Sequence, residues 1–134
     1  MVEGAGDVAF IHLELEDVLE VYGAIIGRTA AQAADDLRDR AALEAALGRP
    51  AMHAHYEAAD LPLQAAVLAH GIAEGQPFID GNKRTALVSM LTFLEVNGLR
   101  VEATDPELAD WILSLSTGAT PENLAERIRR ALAD

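Results

Sequence analysis

The stretch Gln76-Pro77-Phe78-Ile79-Asp80-Gly81-Asn82-Lys83-Arg84-Thr85-Ala86-Leu87 sets the reading of the whole chain. Five consecutive positions within it carry an acid, a glycine, an amide and two cations. Helical patterns flank it on both sides. Upstream, Leu61 to about Glu74 carries Leu63, Ala66, Val67, Ala69, Ile72 and Ala73, with Pro62 suited to a first turn. Downstream, about Asn82 to Asn97 carries Leu87, Val88, Met90, Leu91, Phe93, Leu94 and Val96, interrupted only by Thr85, Ser89, Thr92 and Glu95. Helices with so little polar face are buried by their neighbours. Asn97-Gly98 is a stop signal for the second. The quoted stretch is therefore read as a loop between two central helices, running into a helix N-terminus.

Such an end has free N–H groups and the positive pole of the helix dipole, and it attracts anions, phosphates above all. Lys83 and Arg84 fall in that first turn, where the dipole disfavours cations, so a negative ligand is expected beside them. Arg84 can grip phosphate oxygens through two donors. Asp80 suits a Mg²⁺ ion that bridges phosphates, since this metal takes one or two carboxylates plus substrate oxygens. Gly75 and Gly81 permit backbone geometry closed to other residues. Phe78 reads as an inward anchor for the loop. The plainer alternative is a helix start capped by Asp80 or Asn82 with two solvated cations. It accounts less well for the order of the residues.

Working outward, Val8 to Leu13 reads as a short strand, and Leu99 to Ala103 as a second that can pair with it near Phe10. A helix from about Glu14 to Ile26 places Leu15, Val18, Leu19, Tyr22 and Ile25 on one stripe and ends at Gly27. Another runs from about Arg40 to Leu47, closed by Gly48 and Pro50. Residues 28 to 38 are open between helix and ordered loop. Asp105-Pro106-Glu107 and Thr120-Pro121-Glu122 each offer an N-cap, a proline at the first helical position and an acid for the dipole. The helices they start carry Leu108, Trp111, Ile112 and Leu115, then Leu124, Ile128 and Leu132. Met1 to Asp7 is small and polar and is expected to be flexible. His53 and His55 have no cysteine or carboxylate at ligand spacing and cannot share a helix face, so they read as surface histidines. His70 reads as a partly buried histidine bonded to a backbone carbonyl. The expected fold is all-α, one domain over 1–134, a compact bundle around two buried central helices, with room for one short two-stranded β ribbon.

Composition bounds the function. Just over half of the 134 residues are hydrophobic, but only 4% are aromatic, so Leu, Ala, Val and Ile must build the core. There is no cysteine, hence neither a disulfide nor a thiolate metal site, which fits a cytoplasmic setting. No basic region followed by an apolar run marks a signal peptide, and no apolar run approaches membrane length. Acids outnumber bases 22 to 10, for a net charge of −12, which argues against a nucleic-acid partner. Arg127, Arg129 and Arg130 read as cations favourable to a helix C-terminus. So acidic a surface suits a cationic partner or a basic antagonist.

The segment resembles the signature of the Fic superfamily, and most closely its death-on-curing (Doc) branch of toxins. That signature reads His-Pro-Phe-x-Asp/Glu-Gly-Asn-Gly/Lys-Arg, and Gln76 to Arg84 matches every specified position but the first. Leu37-Arg38-Asp39, Leu43-Glu44, Ala46, Arg49-Pro50, His70-Gly71, Thr85-Ala86-Leu87, Phe93-Leu94-Glu95 and Asn97-Gly98 extend the resemblance over about residues 10 to 130. Enzymes of the family that transfer AMP usually have Gly where Lys83 stands and a second Arg where Leu87 stands. Both differences favour the Doc branch. Gly81 leans the other way, since Doc carries Ala there.

The resemblance implies a toxin that uses ATP and Mg²⁺ to phosphorylate a protein hydroxyl, on elongation factor Tu, and so blocks translation. It gives Asp80 the magnesium, Asn82, Lys83 and Arg84 the phosphates, and position 76 the activation of the target hydroxyl. The family histidine is a general base, and Gln76 cannot take up a proton. The glutamine is either natural, leaving a weak enzyme or a binding protein, or an inactivating substitution; the intact remainder of the motif favours the second. AMP transfer and a catalytically silent nucleotide- or antitoxin-binding module are the alternatives. Many family members carry an inhibitory Ser/Thr-x-x-x-Glu-Gly/Asn helix. Glu122-Asn123 is preceded by Gly118 and Glu74-Gly75 by His70, so neither fits, and control is expected in trans from an antitoxin.

Overall fold

Residues 9–134 are described by the computed structural model, and the expectation for Met1 to Asp7 lies outside them. Seven helices follow one another among the described residues: α1 Leu15–Ile26, α2 Ala30–Asp35, α3 Arg40–Glu57, α4 Leu61–Gly75, α5 Asn82–Val96, α6 Asp105–Leu115 and α7 Pro121–Ala131. The fold is all-α, as expected. Helix α4 packs against α3, α5, α6 and α7, and α5 packs also against α1 and α6. The sequence explains this centrality. Ala65, Ala66, Ala69 and Ile72 of α4 are fully buried and mostly small, so neighbouring helices approach closely. Gly71 marks the tightest point, where a Cβ would stand 2.8 Å from the Cβ of Ala46 on α3.

The β ribbon does not form among the described residues. Residues 9–14 are instead tied down by side chains. Asn97 at the end of α5 accepts from the Ile11 N–H and donates to the Ile11 carbonyl, both at 2.8 Å. His12 lies 2.9 Å from Gln64 Oε1 and stacks on Phe93. The carboxamide of Asn97 thus supplies the backbone partners that a second strand would have supplied. Val101 bridges instead to Leu132 at the far end of the chain.

Two further expectations are revised, and one open segment is resolved. Helix α3 does not stop at Gly48 and Pro50 but runs on to Glu57. Pro50 is buried within it, and packing along α4 offsets a proline cost of roughly 3 kcal/mol. Residues 28–38 resolve into α2, capped by Thr29 and Gln32 acting reciprocally, and a turn. The N-cap of α6 is Thr104 rather than Asp105. Its hydroxyl accepts from the Glu107 N–H, and Glu107 accepts from the Thr104 N–H at 2.8 Å. The Thr-x-x-Glu spacing makes this reciprocal cap available one residue earlier, which moves Pro106 inward by one. Thr120 caps α7 as expected.

The terminal arginines do more than complement a dipole. Arg129 makes two contacts with Asp60, at 2.9 and 3.0 Å, and so fastens α7 to the start of α4. Arg127 pairs with Asp110 on α6, and Arg130 with Glu126.

Candidate active site

Helix α4 ends on Gln76, which adopts left-handed backbone geometry, φ 46° and ψ 57°, and closes the helix through its N–H to the Ile72 carbonyl. The chain then turns inward. Pro77 is buried, and Phe78 is completely so. The Phe78 ring stacks face to face on Tyr22 of α1, with centroids 3.9 Å apart. Burial and the nearby Asp36 carboxylate push the Tyr22 phenol up from its ordinary value, so it stays neutral behind the loop. The anchor role expected of Phe78 is therefore its position in the structure.

Asn82 fixes the other side. Its Oδ1 accepts from the Phe78 N–H at 2.9 Å and its Nδ2 donates to the Phe78 carbonyl at 3.0 Å. Its carboxamide is thereby committed to the loop and does not cap α5. The N-cap is Gly81, in left-handed geometry (φ 76°), which provides no side-chain hydrogen bond. Neither Asp80 nor Asn82 caps, so the first-turn N–H groups of α5 are left for another acceptor. Asp80 Oδ1 accepts from the Gly81 N–H at 2.8 Å.

Gln76, Asp80, Gly81, Asn82, Lys83 and Arg84 all line one open pocket of ≈300 Å³, with Ala73 and Ile79. Every residue expected to meet the hydroxyl, the phosphates or the metal thus stands at this pocket, and Phe78 is buried beneath the loop. Beside it lies a groove between α5 and α6, formed by Lys83, Arg84, Leu87, Ala109, Ile112 and Leu113, which is almost wholly apolar apart from the two cations. His70 lies elsewhere. It lines a cleft of ≈640 Å³ between α3, α4 and α7, together with His53, Arg49 and Met52.

The charge distribution is uneven. Of ten cationic side chains, six arginines (28, 40, 100, 127, 129 and 130) contact carboxylates. Arg38, Arg49, Lys83 and Arg84 have no such partner among the described residues, although the chain has more than twice as many acids as bases. Two of these four flank the pocket. Asp80 is the pocket's one carboxylate, and no group of three metal-ligating side chains occurs among the described residues. A dedicated metal cage is thus missing there. A single exposed carboxylate fits Mg²⁺, which completes its shell with water and substrate phosphates.

One feature is absent from the sequence reading of the site. The turn between α2 and α3 clamps the loop. The N–H groups of Arg38 and Asp39 donate to the Pro77 carbonyl at 2.7 and 3.0 Å, and Ile79 N–H donates to the Asp36 carbonyl at 3.3 Å. The guanidinium of Arg38 donates to the Gln76 carbonyl at 3.1 Å. Leu37-Arg38-Asp39 was visible in the sequence only as part of a resemblance, because nothing local tells that a turn about forty residues upstream meets this loop.

The loop from Gln76 to Gly81 is thus held between two buried helices and opens onto one pocket. The model of the Fic/DOC family matches residues 12–94, and the chain belongs to this family. Over 121 residues it is 36% identical to a protein named Protein kinase doc from Escherichia phage P1, spanning 89% of this chain and 94% of that one. It is also 35% identical over 94 residues to Toxin Doc of Mycolicibacterium smegmatis (strain ATCC 700084 / mc(2)155), spanning 69% of this chain and 68% of that protein. The chain is thus a Doc-like member of a family of transferases.

Proposed function

We propose that this protein is a Doc-type toxin whose pocket takes ATP and Mg²⁺ and transfers the γ-phosphate to a hydroxyl of a cytoplasmic protein, elongation factor Tu. The observation that carries the reading is the convergence, in one pocket, of an uncapped helix N-terminus, two cations without carboxylate partners and one carboxylate. In the reaction, the target hydroxyl oxygen bonds to the γ-phosphorus, the bond to the β–γ bridging oxygen breaks and ADP leaves. Lys83, Arg84 and the N–H groups of the α5 first turn hold the phosphate oxygens. Asp80 would hold Mg²⁺, which when bound neutralises phosphate charge. The apolar groove between α5 and α6 adjoins the cations and suits the nucleoside. Leu87 lines that groove and adds no third cation, which favours phosphate transfer over AMP transfer.

The hydroxyl proton must pass to residue 76. Glutamine can bond to the hydroxyl but cannot accept its proton, and loss of a general base costs ~10²–10⁴-fold in rate. This chain is therefore slow or silent as it stands. Its control by an antitoxin acting in trans belongs to the same reading.

The test is Gln76→His incubated with elongation factor Tu and ATP labelled at either the α- or the γ-position. Transfer of the γ-label, at a rate ~10²–10⁴-fold above the unaltered chain, is the expected result. Transfer of the α-label would establish the AMP-transfer alternative. Absence of both labels, with nucleotide still bound, would leave a silent binding module.

A further inference from the structure

We propose that Arg38 is the positioning residue for the side chain at 76, acting from the turn between α2 and α3. A residue other than glycine holds left-handed backbone geometry only where its surroundings enforce it. At Gln76 the enforcing contacts are few. Its N–H is bound to the Ile72 carbonyl, the next carbonyl, of Pro77, accepts from Arg38 and Asp39, and its own carbonyl accepts from Arg38 Nη2 at 3.1 Å. The first three are backbone bonds. Only the last is made by a side chain, and it holds the peptide plane that sets ψ at Gln76, and so the left-handed geometry from which its side chain enters the pocket.

The same guanidinium brings uncompensated charge. Its neighbours in the turn are already engaged: Asp36 with Arg28 at 2.8 Å, and Asp39 with the Ala42 N–H at the start of α3. Arg38 thus stands as a cation beside position 76. Across the pocket the charged groups are Asp80, Lys83 and Arg84, with Glu74 on the last turn of α4. A histidine at 76 would have its imidazolium disfavoured by Arg38, against the opposing pull of Asp80 and Glu74. Arg38 therefore bears on the direction of the side chain at 76 and on the basicity of a histidine placed there.

The consequence for turnover rests on the phosphotransfer reading, but the placement of Arg38 does not, so the test separates them. In the Gln76→His protein, the imidazole at 76 is titrated by NMR with and without Arg38→Ala. The backbone bonds of the turn survive this substitution, and the fold should be retained. Arg38→Ala is expected to raise the pKa of the imidazole by roughly half a unit or more. It should also lower kcat about tenfold while KM for ATP stays within about twofold. Arg38→Lys keeps the charge and one donor, and should bring the titration back toward that of Gln76→His and recover part of kcat. An unmoved titration, or a raised KM at unchanged kcat, overturns the proposal and makes Arg38 solvated or a phosphate ligand. If Gln76→His transfers no label at all, the phosphotransfer reading fails, while the titration alone still decides the role of Arg38.

Discussion

Asn82 shows how much one side chain can organise. Both polar atoms of its carboxamide are used, one accepting from and one donating to the backbone of Phe78, four residues back. Those bonds satisfy the backbone of a fully buried residue, and they keep the carboxamide from capping its own helix. Substituting Asn82→Ala should leave the Phe78 amide and carbonyl without their protein partners, at a cost of about 1–3 kcal/mol read by chemical denaturation. Nucleotide binding should fall with it, since Gly81 and the first turn of α5 lose their register. The resemblance assigns Asn82 to phosphate; its side chain is instead part of the scaffold, and under the proposed function only its backbone N–H remains for that task.

Two junctions between elements hold the site in place. The crossing of α3 and α4 depends on Gly71, where an added Cβ would lie 2.8 Å from the Ala46 Cβ and 3.1 Å from its Cα. Gly71→Ala should destabilise the protein by about 1–3 kcal/mol in spite of alanine's better helix propensity, and Ala46→Gly in the same chain should recover part of the loss in a double-mutant cycle. The junction of α7 with α4 depends on Asp60. The Arg129 guanidinium, and then the Leu63 N–H, hold its carboxyl below the usual carboxylate range. A depressed folded-state pKa gives stability that is fully present above the unfolded value and lost as pH falls through the folded one. Asp60→Asn keeps a capping side chain and removes the charge. The stability it loses at pH 7 should shrink as pH falls below about 4, and should stay under about 1 kcal/mol because both partners are substantially exposed. Thermal melts of both proteins across pH 3–7 check this.

For the whole molecule, the contrast between a net charge of −12 and a small cationic pocket is the governing fact. An acidic surface repels polyanions, so the triphosphate of the proposed reaction would have to be held at short range by Lys83, Arg84 and the α5 N-terminus. Arg84→Ala should weaken ATP binding about tenfold, with a shallower dependence on salt than the unaltered protein, measured by calorimetry at two ionic strengths. A change of less than about twofold would place Arg84 outside the binding site.

Much of this was legible in the sequence. The helices appear there because Leu, Ala, Val and Ile recur at helical spacing; α1, α4 and α5 were readable end to end within a residue or two, and α6 and α7 by their start signals. The pocket residues appear because they are contiguous, from Gln76 to Arg84, and contiguity needs no tertiary knowledge. What depends on distant partners was hidden. Pro50 stops a helix in isolation but not one packed along α4. A strand near Phe10 is plausible until Asn97 takes up its backbone groups. The clamp of Arg38 on Gln76 joins segments thirty-eight residues apart. By itself the sequence determined which residues lie together on the loop; the tertiary structure decided which of them line the pocket and which support the loop, because the free energy of those contacts is set by partners far away along the chain.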